Sequence, residues 1–535
     1  MARILYWGFL LILFTPCFFQ NEAWVIERLS IVLFFTIISF FIKKDSLKLT
    51  KFDFYISIFF IFQIVLSIFR DNFYESIYSI FWFLSLFLGS ILLRNIKYTR
   101  LRRNILFTIY YFDFLIIADY FNVFNYLMSF FKYGFLSQRG ELIDSSLWFI
   151  NGNMLGNFLL FAAIPGVIYA RKFKRFYLLN LFHAFAIFLT GNFTALFIFI
   201  SIHIFNISKN KYFKKTLILS AIILGILFSS YIIFSQNINS SLYHRKILYK
   251  TAIEQIIENP IFGSGAGLFR YNYYRLLQNF DINKDFDYLP PSHYVHNDYL
   301  QIISENGFFG IILIFLFFNL FFKNKNNQNF IYIFAFSIIA FVQHILYSER
   351  ALFLFIIFLC SYNFKNTIKI KTKYIKLSIF ILLIYFIFIF IGALGFEYSE
   401  NPPKMEVFSI IRPGYSFLYT NIALAYGREK NNEKTEEYYV KSIKYDKFWG
   451  EHYYRYGRFL INNNEIKKSL ENFKIAINYN NLRRKFEIAQ EALYYTYITG
   501  NKEEFEYFYE LSEKNIFFED QRVHFESIKK RLKNN

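Results

Sequence analysis

Within "PPSHYVHNDYLQ" (Pro290–Gln301), four side chains that could bind or transfer a proton, or orient a group that does, stand at the threshold of an apolar run. They are His293, His296, Asn297 and Asp298. Imidazole titrates near neutral pH and accepts a proton from a hydroxyl, so His296 is a candidate general base. Asn297 and Asp298 are placed to orient it or its reaction partner. Alternatively, the same histidine simply caps the helix that follows. His293 and His296 can also share one helical face as metal ligands. Pro291 precedes them, however, and no third Cys, His or acid follows at ligand spacing, so neither a metal nor another cofactor is expected.

A second chemistry is carried by arginines. Arg139 lies in "SQRGE", and Arg245 opens "HRKILYKTAIEQIIENP". Arg270 and Arg275 follow a turn, "GSGAG", that holds Gly263, Gly265 and Gly267. A guanidinium stays charged and presents a planar fork that matches phosphate oxygens. Taken singly, each is equally an ordinary solvated side chain. The turn lacks the Lys-Ser/Thr of a phosphate-binding loop and the strand and later acid of a dinucleotide fingerprint. It reads as a bend or as a backbone anion site.

What must position these groups is a membrane. Of 535 residues, 55% are apolar and 23% aromatic, and a span needs roughly 17–25 mostly apolar residues. About thirteen candidate spans lie near 3–20, 24–42, 52–69, 76–93, 104–125, 154–170, 174–190, 192–207, 216–234, 307–322, 329–346, 351–363 and 377–395. The first reads as a retained span, because another follows at once and no small-residue cleavage site intervenes. Cys17 and Cys360 fall inside spans and form no disulfide framework.

The net charge of +20 resembles a nucleic-acid signal until its distribution is read. "KKDSLKLTK", "RNIKYTRLRR", "RKFKR", "KNKYFKK", "KNKNNQN" and "KNTIKIKTKYIK" occupy alternate short loops and contain one acid, Asp45. Such loops mark the cytoplasmic side. Loops 132–153 and 235–306, His296 included, then face outward, as does the C-terminal tail. No nucleic-acid partner is implied.

Residues 1–396 thus form an all-α polytopic membrane unit, and 397–535 a charged helical domain. There "ALAYGREKNNEKTEEYYVKSIKYD" returns 34 residues later as "YGRFLINNNEIKKSLENFKIAINYN", pairing Tyr439 with Phe473, Ser442 with Ala476 and Tyr445 with Tyr479. That period is tetratricopeptide-like, and stacked repeats present a surface for a protein partner. A hairpin packed on the outer loops is the plainer alternative.

Several of these segments together resemble the O-antigen ligase and polymerase superfamily. His296-Asn297 followed after nine residues by Gly307 resembles its His-(Asn/Ser/Gln)-x9-Gly pattern, and "ENPIFGSGAGLF" its Asn-Pro-Leu-Phe-Gly-x-Gly segment. "HRKILYKTA" resembles its Arg-x-x-Leu-Trp-x-x-Ala helix, with Tyr249 for Trp. "QRGELIDSSLWFINGNMLGNFL" resembles its Arg-x-x-Gly…Asn-Pro-Asn stretch, with Gly152 for Pro. "LTGNFTAL" departs from its Thr-x-Ser-Arg step by having no Arg. The resemblance implies a GT-C-like membrane glycosyltransferase of the inner membrane, of the kind used in lipopolysaccharide biosynthesis. Such enzymes move a preassembled glycan from undecaprenyl diphosphate to a hydroxyl acceptor on the outer face. That acceptor is a lipid core, a growing polysaccharide or a protein. Arg139, Arg245, Arg270 and Arg275 would then hold the donor diphosphate and His296 would serve the acceptor, with Gly263, Gly265 and Gly307 in support. A lipid-linked glycan transporter is the rival, disfavoured because the polar groups gather on one face and the spans hold few charges.

Overall fold

The computed structural model describes residues 23–95, 99–120, 152–170, 173–207, 211–234, 240–277, 292, 294–323, 329–360, 368–398, 401–479, 482–516 and 519–534, with Tyr6, Leu10 and Ile12 before them. The segment expected at 3–20 is otherwise outside the described residues, as are His293 and most of loop 132–153, Arg139 included. The chain is an all-α polytopic membrane protein.

Each of the other expected spans contains a helix among the described residues. The first of these helices are α1 (Ala23–Phe41), α2 (Lys51–Ser67), α3 (Phe73–Arg94), α4 (Thr99–Tyr120), α5 (Gly152–Ala170), α6 (Arg175–Leu189), α7 (Phe193–Ile207) and α8 (Lys211–Phe234). Three helices lead from the long polar loop into the next apolar run: α9 (Ser240–Glu258), α10 (Phe269–Leu277) and α11 (Asp298–Asn306). The membrane unit closes with α12 (Phe308–Lys323), α13 (Asn329–Ile339), α14 (Glu349–Cys360) and α15 (Thr372–Tyr398). Among the described residues, α3 and the Thr372–Leu394 part of α15 are long and apolar enough to cross a membrane by length and composition. Phe69, Leu178, Leu181, Phe197, Leu224 and Phe315 are exposed, while Phe34, Trp82, Phe158 and Phe199 are buried. Helices apolar on both the packed and the outward face need a lipid surround.

One pair of strands interrupts this pattern. β1 (Ser46–Leu49) runs antiparallel to β2 (Ile368–Lys371), pairing Ser46 with Lys371 and Leu49 with Ile368. "SLKL" and "IKIK" alternate apolar and basic residues, the period of a half-buried strand, and Leu47 is fully buried beneath the lysines. The ladder ties the start of the membrane unit to its last helix, which also packs along α1.

Several buried charges of the unit meet across helices. Arg28 on α1 meets Glu349 on α14 at 2.9 Å, and Arg350 meets Glu27 at 3.0 Å, so neighbouring residues on two helices exchange crossed ion pairs. The Arg28 guanidinium also lies 5.1 Å from the ring centres of Tyr78 and Trp82. Asp113, which interrupts the apolar run of α4, is 2.5 Å from His183 Nδ1 on α6. The other ring nitrogen of His183 lies 2.9 Å from the Leu159 carbonyl.

The C-terminal helices are α16 (Pro402–Ile411), α17 (Ser416–Arg428), α18 (Asn432–Tyr445), α19 (Gly450–Asn462), α20 (Ile466–Asn478), α21 (Leu482–Thr499), α22 (Lys502–Lys514) and α23 (Glu519–Asn534). α17 pairs with α18 and α19 with α20, and the second pair begins 34 residues after the first at Gly450. Of the positions matched by the repeat, Tyr439, Ser442, Phe473, Ala476 and Ile477 are buried, and Tyr445 and Tyr479 are half-buried. This stack sits on the membrane unit. Asn72 donates to the carbonyls of Gly414 and Tyr445 at 3.1 and 3.0 Å. Trp449 packs edge-on to Tyr274, and Lys447 reaches Asp71 at 2.9 Å.

Removing one member of a buried ion pair costs about 3–5 kcal/mol, whereas replacing both by apolar groups of similar volume is near neutral. Arg28→Met alone should therefore lower the unfolding temperature of detergent-purified protein sharply. Arg28→Met combined with Glu349→Leu should recover most of the loss. Equal damage in the single and double variants would show that the pair is not what holds α1 to α14.

Candidate active site

A helix that stops early creates the site. The apolar run expected to span 329–346 leaves the helix at Ile339, and residues 340–348 are irregular except for a 3-10 turn at Ile345–Tyr347. Backbone groups buried among helices must find partners. Asp298 supplies them: its carboxylate accepts from Ile345 N at 2.9 Å and Leu346 N at 3.3 Å, and its own N–H donates to Ala340 O at 2.7 Å. Tyr249 Oη on α9 donates to Phe341 O at 2.9 Å. The sequence suggests Asp298 as an orienting group for His296 or the acceptor. Its carboxylate is buried and faces the break instead.

The break carries His344 to His296. Their Nδ1 atoms lie 3.0 Å apart with the rings edge-on, centroids 4.5 Å apart. Tyr294 stacks on the far face of His344 at 4.9 Å and 16°. His296 itself adopts φ 58°, the left-handed region, which His visits more readily than most residues. That conformation ends the extended segment so that Asn297 can cap α11, its Oδ1 accepting from Leu300 N at 3.1 Å while Nδ2 donates to Ser229 at 3.2 Å. The sequence reads His296 as either a cap or a base; the cap is Asn297, and the His296 ring is half-buried beside it.

Arg245 stands one helical turn before Tyr249 on α9, so the two share a face. Tyr249 Oη also approaches the His296 carbonyl at 3.4 Å. Burial, then His344, then the Arg245 charge and His244 hold the His296 imidazole well below its ordinary range, so it is neutral at neutral pH. Among the described residues no carboxylate pairs with Arg245.

Arg270 and Arg275 are engaged elsewhere. Arg275 forms a two-pronged pair with Glu258, at 2.8 and 2.5 Å, and lies over Phe448. Arg270 stacks on Tyr271 4.6 Å from its ring centre, faces Glu75 at 3.9 Å, and reaches toward Phe417 of α17. Burial pushes the neighbouring Asp446 carboxyl up to about 7 despite the Arg270 charge. Both arginines belong to the seat of the C-terminal helices.

The glycine turn is a docking element. Ser264 N donates to Ser304 O at 2.8 Å and Gly265 N to Glu305 O at 2.9 Å, so two successive N–H groups of the turn are spent on the end of α11. Gly263 (φ 66°) and Gly307 (φ 57°) face each other where the turn meets the end of α11. A Cβ on Gly307 would lie 2.5 Å from the Ile261 carbonyl, and one on Gly263 would strike the Glu305 backbone. Close backbone approach at Gly263 and Gly307 sets this spacing.

Two cavities lie on either side of this region. An apolar one of about 310 Å³ runs between α2, α3, α11 and α12, lined by Phe60, Phe83, Phe87, Tyr299, Leu313 and Phe317. A polar one of about 510 Å³ lies where the turn meets the C-terminal helices, with Arg70, Asn259, Asn272 and Lys444 in its wall. Among the described residues, no group of three or more His, Cys, Asp or Glu could hold a metal.

Sequence reasoning passed over His344, Tyr294 and the crossed pairs of Glu27, Arg28, Glu349 and Arg350. The signal was present in "QHILYSER", a polar cluster inside what reads as two nearly continuous apolar runs.

Residues 159–315 match the family model described as O-Antigen ligase. The match includes Arg245, the glycine turn, His296 and Gly307, and ends before His344. It supports the superfamily resemblance and, with it, a membrane glycan ligase or polymerase type of function. No curated protein and no solved structure matches the chain.

Gly263→Ala combines left-handed strain with a backbone clash and should abolish a stable fold, read as loss of monodisperse protein in detergent. Gly191, at φ 72° with nothing within 4 Å of where an added methyl would stand, is its control. Gly191→Ala should cost only about 1–2 kcal/mol. Equal tolerance of both would show that the turn does not pack as described.

Proposed function

With an O-antigen ligase segment in an all-α membrane protein as premise, we propose that the chain is a glycosyltransferase of the cytoplasmic membrane. It moves a preassembled glycan from undecaprenyl diphosphate to a hydroxyl acceptor on the outer face. The observation that carries this reading is a guanidinium with no described carboxylate partner, Arg245, on the helix face beside a histidine held neutral, His296.

The acceptor hydroxyl attacks the anomeric carbon, its proton passes to His296, and the bond to the diphosphate breaks with the electron pair leaving on phosphate oxygen. Arg245, joined by Arg139 from the first outer loop, stabilises the charge that develops there, where a planar fork is worth most. Holding donor and acceptor in line supplies much of the remaining rate. The apolar cavity beside α11 suits a polyprenyl chain. Arg270 and Arg275 hold the C-terminal helices against the site and leave the diphosphate to the other two. Ligation and polymerisation share this chemistry and differ in which hydroxyl arrives.

His296→Ala should keep its affinity for lipid-linked donor and lose about 10²–10⁴-fold in transfer. Arg245→Lys should weaken donor binding as well. Donor titrations on folded variants decide, and a His296→Ala protein that loses donor affinity while Arg245→Lys retains it would reverse the assignment.

The sign of the pH dependence follows from the neutral imidazole. A base whose folded pKa lies below the ordinary 6.5 keeps its lone pair as pH falls through 6.5. Transfer should therefore stay level as pH falls from 8 through 6.5 and decline only at lower pH. A half-maximal rate near 6.5 would mean that the ring is solvated.

The reading also fixes a topology. Cysteines at Ser292 and Asn534 should both react with a membrane-impermeant reagent added to intact spheroplasts. Reaction of one alone would place the C-terminal helices across the membrane from His296.

A further inference from the structure

A hydrogen bond between two Nδ1 atoms requires one proton and one lone pair. His296 and His344, 3.0 Å apart at these atoms, therefore share a single proton there. We propose that His344 is the positioning residue for His296: its Nδ1 accepts the His296 Nδ1 proton and so fixes the tautomer that leaves His296 Nε2 with a free lone pair for the acceptor hydroxyl. The inference rests on the reading of His296 as the base.

The opposite arrangement is unproductive. Were His344 the donor, His296 would carry its proton on Nε2 and have nothing to offer a hydroxyl. The surroundings are built to hold His344 in place. Tyr294 stacks on its ring, Asp298 secures the two residues after it through Ile345 N and Leu346 N, and Tyr249 secures the start of the break through Phe341 O. Other groups could orient a lone histidine by packing alone. A nitrogen-to-nitrogen contact at hydrogen-bond length specifies which atom carries the proton.

The titratable and charged groups facing the pair are Arg245, His244 and Tyr249 from α9, Tyr294 and Asp298 from the segment of His296, and the two rings themselves. A second resting proton on the pair is opposed by Arg245, so the pair begins neutral. During transfer the hydroxyl O–H bond breaks and an N–H bond forms at His296 Nε2. The Nδ1 proton then moves toward His344 Nδ1, and the new positive charge is spread over two rings instead of one beside Arg245. The hydroxyl oxygen bonds to the anomeric carbon, and the electron pair of the broken bond leaves with the diphosphate.

The test uses full-length protein in nanodiscs with lipid-linked glycan donor and acceptor, comparing His296→Ala, His344→Leu and His344→Asn. Asn places its Oδ1 near the position of the imidazole Nδ1 and accepts one hydrogen bond. His344→Leu should lose at least about tenfold in kcat, with the donor KM changed less than about twofold, and its rate should fall off at a different pH from that of the native protein. His344→Asn should recover most of the rate and the native pH limb. Unchanged kcat in His344→Leu, with His296→Ala inactive, overturns this inference alone. An active His296→Ala overturns the reading beneath it. Equal loss in Leu and Asn variants with the native pH profile makes His344 a packing residue and also overturns it, and Asn, being near-isosteric, decides if the Leu variant fails to fold.

Discussion

Irregular backbone inside a membrane protein survives only where every N–H and C=O finds a partner, and one buried carboxylate meets that demand here. Asp298 accepts from two consecutive backbone N–H groups of the 340–348 break and donates its own N–H to the residue where the break begins. Without those bonds α13 has no reason to end at Ile339, and a continued helix would carry residue 344 away from residue 296. The histidine contact is thus a consequence of how a helix end is satisfied. Each unsatisfied buried group would cost about 1–3 kcal/mol, enough to favour a helix over a break.

The same economy governs the glycine turn. Its N–H groups go to the carbonyls of Ser304 and Glu305 at the end of α11, the helix whose start carries Asn297 and Asp298. α11 is therefore gripped at both ends: by the break at its N-terminus and by the turn at its C-terminus. The C-terminal helices add a third grip, through Trp449 against Tyr274 and through Arg270 and Arg275 on the segment that follows the turn. A nine-residue helix is too short to be stable alone, and here its position is determined from outside.

The apolar runs were legible because their cause is local: the described ones at 24–42, 52–69, 76–93 and 154–170 begin and end within a few residues of helices. The 34-residue spacing is likewise local, and in the structure helix pairs start 34 residues apart, at Ser416 and Gly450. What escaped is what depends on distant partners. "SLKL" and "IKIK" read as pieces of basic loops because a four-residue strand has no signal until its partner is known. His344 read as part of an apolar run because the group that interrupts the helix, Asp298, lies far away in sequence. The arginines were chosen by residue type, and type could not separate Arg275, which has Glu258, from Arg245, which lies beside the histidines.

The crossed pairs of α1 and α14 set an order on biogenesis. Arg28 and Glu349 are 321 residues apart, and a ribosome adding about 5–20 residues per second needs tens of seconds to cover that distance. Throughout that interval α1 is present with Glu27 and Arg28 and without the helix that neutralises them. Long charged side chains near a helix end reach for the interface while unpaired. A helix made late in the membrane unit thereby completes the first described one, and a chain truncated before residue 349 leaves Glu27 and Arg28 without the partners they have in the full fold.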